Sequence, residues 1–429
     1  MRPEPRSGHW AALAIGAVIA AAGVAAAAVF APGGGTIAGT PQVPGSDGRS
    51  ADHLAALTME PNPQAVEAPD GSAHIPACRV VTPGDVHGMG HRLHDYAGTL
   101  NEGELGIERT VFDYVGEADV ESDRSLTTAG SVTATCEYTF DLDASDDVRG
   151  VDVVVVQPFL ANEDTIERDL DNYYEPAGSF EGVDLYERAS DEVDFLTHAL
   201  VTDEAVVLLR TFNLAEDDRT SVTEAAATNL IELLAEPEGP ATPRYEASPV
   251  GDEFVRACPL LDNTGIREVT GNDAEPIATE TIPVISATTA TRPEQRGHEY
   301  IYNGCRRKDT IPSTGDVIED MERIFDPVDF SLSTRTFERA EGAEAYFDSV
   351  TTGSSSPYQE GTILNGLGDQ AFAGKGASGF GVVDLVVRRG PVVFDLSYDV
   401  GTERDVDETI DVLGPFAERI LDQLASDGY

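Results

Sequence analysis

At 429 residues the chain has room for two or three domains of ordinary size, and its 41% hydrophobic content excludes wholesale disorder. Asp and Glu number 77 against 28 Lys and Arg, a formal charge of -49. That excludes nucleic-acid binding through a basic stripe, and it leaves divalent cations or basic partners as what the field would attract.

Residues 1–9 carry Arg2 and Arg6 against Glu4, and an uncharged run of 22 residues follows from Trp10 to Ala31. As a helix this run would span about 33 Å, enough for a bilayer core. Trp10 sits at its cytoplasmic edge, where an interfacial anchor belongs, and the arginines ahead of it place the N-terminus inside. The expectation is a cytoplasmic tail at 1–9 and a transmembrane anchor at 10–31, with the bulk of the chain outside the cell. The rival is a secreted product, cleaved after Ala28-Val29-Phe30-Ala31; Pro32 disfavours that cut.

Residues 32–70 are rich in Gly, Pro, Ser and Ala and read as a flexible linker, and a second linker is expected at 237–252. Between and after them lie two segments, 71–236 and 253–429, that run in parallel. Each opens with a cysteine, Cys78 or Cys258, and has one more about fifty residues on, Cys136 or Cys305. An alternating strand follows in each, Val151–Val156 or Val328–Leu332, and then a short helix-like stretch ending in Tyr173-Tyr174 or Tyr346-Phe347. Strong strands at Ala205–Phe212 and Pro391–Tyr398 precede closing amphipathic helices. Their apolar faces are Ala226, Leu230, Leu233 and Leu234 in one and Phe416, Ile420, Leu421 and Leu424 in the other. This predicts an α+β fold of two related domains, each a mostly antiparallel sheet with a packed C-terminal helix. Four cysteines, two per repeat and none in a C-x-x-C, predict disulfides Cys78–Cys136 and Cys258–Cys305.

Cys258-Pro259-Leu260-Leu261-Asp262, the second cysteine Cys305, the turn Gly366-Leu367-Gly368-Asp369-Gln370-Ala371 and the Arg388-Arg389-Gly390 tip make the second repeat resemble a domain-of-unknown-function family of actinobacterial cell-envelope lipoproteins. Tyr138 fits that family's aromatic two residues after the second cysteine; Arg307 does not, and the lipid-carrying cysteine is absent. The resemblance implies an extracytoplasmic module of unassigned activity, for binding or sensing.

His87, His91 and His94 would share a helix face able to hold Zn²⁺ or Cu²⁺. Gly88 and Gly90 weaken that helix, and Gly265–Gly271 in the second repeat has no histidine, so polar surface histidines are the preferred reading. The acids from Asp141 to Asp152 mimic an EF-hand loop but put Asp146 where glycine is needed. Gly376-Ala377-Ser378-Gly379-Phe380 lacks the last glycine of a nucleophile elbow, and no phosphate loop or dinucleotide fingerprint occurs. No cofactor is expected. The leading reading is a non-enzymatic, membrane-anchored binding or sensing protein, its ligand on a sheet face or between the repeats, near Gly366, Gly368 and Asp369. A structural envelope protein with a basic partner and a hydrolase with an unrecognised site are the alternatives.

Overall fold

In the computed structural model the described residues are 56–67, 71–90, 106–112, 134–139, 149–157, 163–188, 195–246, 250, 254–283, 300–309, 329–352, 356–376, 382–399 and 406–429. The anchor expected at 10–31, His91 and His94, the acids from 141 to 147, and Ser378 lie outside them. Among the described residues no helix is long and apolar enough to cross a membrane.

After a first strand, β1 (Ala56–Asn62), the first half runs α1 (Ala77–Val80), α2 (Pro83–Gly88), β2 (Gly106–Phe112), β3 (Ala134–Thr139), β4 (Gly150–Val156), α3 (Glu163–Tyr173), β5 (Glu175–Phe180), β6 (Val183–Arg188), β7 (Phe195–Val201), β8 (Val206–Phe212) and α4 (Glu216–Ala235). Strand β9 (Gly239–Glu246) leads to the second half. There α5 (Ala257–Leu260), α6 (Asn263–Thr270), β10 (Ala274–Pro283), β11 (Tyr300–Asp309), β12 (Asp329–Phe337), α7 (Ala340–Thr351), β13 (Tyr358–Leu364), β14 (Gln370–Gly376), β15 (Val383–Arg389), β16 (Val392–Asp399) and α8 (Val406–Ser426) repeat the order element for element. The fold is α+β and antiparallel, and both expected disulfides are present.

Within each half the strand order is the same, β2-β3-β4-β8-β7-β6-β5 and β10-β11-β12-β16-β15-β14-β13. The halves do not carry separate sheets: β2 pairs with β10, so 14 of the 16 described strands form one sheet, and β1 with β9 forms a second, two-stranded one. Each half ends on an inner edge of unpaired backbone groups, and antiparallel pairing of the two edges satisfies both. Across this seam one row reads Cys136, Arg109, Glu280, Cys305. A local twofold therefore passes between Arg109 and Glu280, which hold equivalent positions in the two halves.

Strands also occur within both stretches expected to be linkers: β1 pairs with β9. Leu57 in β1 and Ala241, Pro243 and Tyr245 in β9 turn inward, an alternation hidden among glycine and proline. Tyr245 and Leu57 join the core of the first half, and the Tyr245 ring meets Phe254 edge-on at 5.4 Å.

On one face of the sheet each half packs its two short helices and its closing helix around a core, with Val153, Leu209 and Leu230 in the first and Leu332, Leu396 and Ile420 in the second; Ile282 and Ile301 of the second half join the first core. Equivalent residues tie these parts together. Tyr138, two after Cys136, donates its hydroxyl to the Val81 carbonyl at 2.5 Å, and Arg307, two after Cys305, donates Nη1 to the Leu261 carbonyl at 3.3 Å. Arg307 thus makes in the second half the contact that Tyr138 makes in the first, with a different donor. The Thr82 and Asp262 side chains cap α2 and α6. From matching places on α4 and α8, Asn229 donates to Asp85 Oδ2 at 3.0 Å and Arg419 to Asp262 Oδ2 at 2.5 Å. The other face carries α3 on Val154, Val156, Val206 and Leu208, and α7 on Phe337, Val386 and Val393. Tyr346 and Phe347 lie inside α7 and not at its end.

Candidate functional site

The registers allow the far face of the two halves to be compared position by position. With Val153 equivalent to Leu332, the pair Val154 and Leu208 in the first half corresponds to Ser333 and Asp395 in the second, and Val156 to Arg335. The first half fills these places with apolar packing under α3. The second half puts an ion pair there: Arg335 Nη1 bonds Asp395 Oδ2, Ser333 donates to the same oxygen at 3.1 Å, and the Arg335 side chain is only 8% exposed. The guanidinium lies over the rings of Tyr346, at 4.9 Å, and Tyr302, at 5.3 Å. Removing charges from water costs several kcal/mol per ion before pairing returns it. The sister half closes these three positions with apolar side chains and sets its own charges elsewhere on the face, Asp152 opposite Arg210 and Asp169 on α3, so the fold does not require an ion pair at this place.

Asp384 in β15 lies on the same face, paired in register with Ser397. Burial pushes its carboxyl up to about 7, the nearby Asp395 charge adds to this, and the Tyr358 hydroxyl bonded to it and Arg335 only partly oppose it. Tyr358 is itself pushed up, by burial first and then by both aspartates. Gly374, opposite Asp384, gives the Tyr358 ring its place: a Cβ there would stand 2.8 Å from that ring. Ser331 and Ser397 share a hydrogen bond of 2.5 Å alongside. The chemistry within reach is the gain and loss of one proton near neutrality, in a network whose other carboxylate is already engaged by Arg335.

The seam carries a second buried set. Glu280 receives Arg109 through Nε at 2.9 Å and Nη2 at 2.7 Å, Arg256 through Nη2 at 2.8 Å and Nε at 3.0 Å, and Asn303 at 3.2 Å. Burial alone would raise the Glu280 carboxyl, but the two guanidiniums outweigh it and hold it down at about 2. Arg109 also donates to the Ala241 carbonyl at 2.6 Å, tying β9 to the seam.

The residues singled out from sequence fall elsewhere. Gly366 and Gly368 adopt positive φ of 88° and 60° in the β13–β14 turn, and a Cβ on Gly368 would stand 2.6 Å from the Arg388 carbonyl. Asp369 accepts from the Gly390 amide at 2.8 Å and its own amide donates to Arg388. The turn thus clasps the β15–β16 tip, and it does not reach the Asp384–Asp395 pair in any contact described. His87 is exposed on α2. Among the described residues no group of three His, Cys, Asp or Glu is placed to hold a metal. All four cysteines are paired.

Asp384, Asp395, Arg335 and Tyr358 were missed because 77 acids mask any two. Aligning the repeats strand by strand would have exposed Asp395 against Leu208. No family model, curated protein or solved structure matches the chain.

Proposed function

We propose that the protein is a non-enzymatic binding or sensing protein of the cell envelope, held by the apolar run Trp10–Ala31 and displaying residues 32–429 outside, and that Asp384 with Asp395 and Arg335 is its responding centre. The observation that carries this reading is the ion cluster standing where the sister half is packed with valine and leucine. Two disulfides fit an oxidising compartment, and the uncharged run of 22 residues fits an anchor. The resemblance to envelope lipoproteins of unknown function points the same way.

Proton uptake by Asp384 would leave Arg335 and Asp395 as a neutral pair, while its loss would put two carboxylates beside one guanidinium. The two states differ in how firmly β13, β15 and α7 are held. Hydrogen exchange of the full-length protein at pH 6 and pH 8, corrected for intrinsic rates, should show faster exchange of these elements at pH 8 and no change in the first half. Equal protection at both values would overturn the role of Asp384. Protease added to intact cells should digest the acidic portion; its protection would overturn the placement.

The charge of -49 favours a second reading, an envelope interaction protein that meets a basic partner. Binding lost uniformly with added salt, and indifferent to Asp384→Asn, would select it.

A further inference from the structure

A cleft of about 350 Å³ lies in the first half, between the segment 72–76, the β7–β8 turn and the end of α4. Its walls are largely aliphatic, from Ile75, Leu234 and Pro237 among others. The segment that forms one side is held rigidly: buried Gln157 accepts from the Ile75 amide at 2.9 Å and donates to the Ala73 carbonyl at 2.9 Å. His74 lines the cleft with only 2% of its surface exposed, and burial holds its imidazole neutral, with the pKa down at about 3. A neutral imidazole brings no positive charge to the wall.

The rim has a definite sign. Asp203 and Glu204 stand exposed at the turn, and Glu238, just beyond α4, also lines the cleft. Arg79, which reaches this rim, is taken up by Glu238 at 2.6 Å, so it is not available to an incoming anion. Two carboxylates at the mouth of a low-dielectric cleft attract a cation more strongly than the same charges on a flat surface.

These features are particular to the first half. The bond from the Ile75 amide to Gln157 has its counterpart in the Val255 amide donating to Thr336 at 2.9 Å. His74 then corresponds to Phe254, whose ring packs on Tyr245. The turn matching Asp203-Glu204 is the Arg389-Gly390 tip, clasped by Asp369.

We propose that this cleft binds a small organic monocation with an apolar body, a protonated amine whose ammonium sits at Asp203 and Glu204 and whose hydrocarbon part lies against Ile75 and Leu234. The site is separate from the Asp384 centre and does not depend on it.

Calorimetric titration of the full-length, detergent-solubilised protein at pH 7 with phenethylammonium, 2-phenylethanol and phenylacetate tests this. Phenethylammonium should bind, 2-phenylethanol about tenfold or more weakly, and phenylacetate not measurably. Asp203→Asn with Glu204→Gln, both exposed and harmless to folding, should reduce amine affinity by about fivefold to tenfold. Leu234→Trp should abolish it by filling the cleft. Absence of amine binding, equal binding of the alcohol or the acid, or amine affinity untouched by the rim variant would each overturn the proposal. Asp384→Asn should leave amine affinity unchanged, so the two sites fail or stand independently.

Discussion

Two carboxyls, half-buried Asp384 and fully buried Glu280, carry opposite pH signatures. Asp384 has a folded pKa near 7, above its value of 3.8 when unfolded, so the native state holds a proton that the unfolded chain releases. Stability from this group is present below about pH 4 and is lost as pH rises to 7. Asp384→Asn should therefore raise the melting temperature by a few degrees at pH 8 and change it little at pH 4, as read by calorimetry. Glu280 runs the other way. Its folded pKa of about 2 lies below 4.5, so its contribution is present above pH 4.5 and lost as pH falls towards 2. Glu280→Gln leaves Arg109 buried beside Arg256 with no anion, and should cost about 3–5 kcal/mol in chemical denaturation at pH 7. The paired change Arg109→Met with Glu280→Leu should recover most of that loss. A single variant as stable as wild type would mean the seam is held by backbone pairing alone.

At the scale of elements, the cysteine framework, the order of the repeats and the closing helices were legible in the chain. Cys78 and Cys258 open matching units, and the faces headed by Ala226 and Phe416 pack as their 3.6-residue spacing requires. The pairing of β1 with β9 was not legible, because proline and glycine dilute the alternation of Ala241, Pro243 and Tyr245. The motif Gly366–Ala371 drew attention as a site, but positive φ and a tight approach to Arg388 explain its glycines without a ligand. The tethers from the closing helices give an element-scale test. Asn229→Ala removes the bonds to Val80 and Asp85 and should destabilise by about 1–2 kcal/mol. Reduction of both disulfides, which span 58 and 47 residues, should cost about 2–5 kcal/mol each and lower the melting temperature sharply.

At the scale of the whole molecule, the expected pair of sheets is one sheet. Hydrophobic periodicity names which face of a strand is buried, but it says nothing of which edge pairs with which, and the union of β2 with β10 depends on edges. The complementary residues at the local twofold, Arg109 in one half and Glu280 in the other, favour union of unlike halves over union of like ones: two first halves would set Arg109 against Arg109. Residues 71–246 and 250–429, produced as separate chains and mixed, should therefore assemble one to one in light scattering and not as homodimers. Two stable monomers would show that the seam contributes little.

The proton site of Asp384 is the point on which the functional reading turns, and carboxyl carbon shifts of ¹³C-labelled aspartate report it directly. Wild-type protein should show one aspartate titrating near pH 7, absent in Asp384→Asn and moved when Asp395 is changed to Asn. If every aspartate carboxyl titrates below pH 5, the cluster on the second half is a buried ornament of packing and not a responding centre.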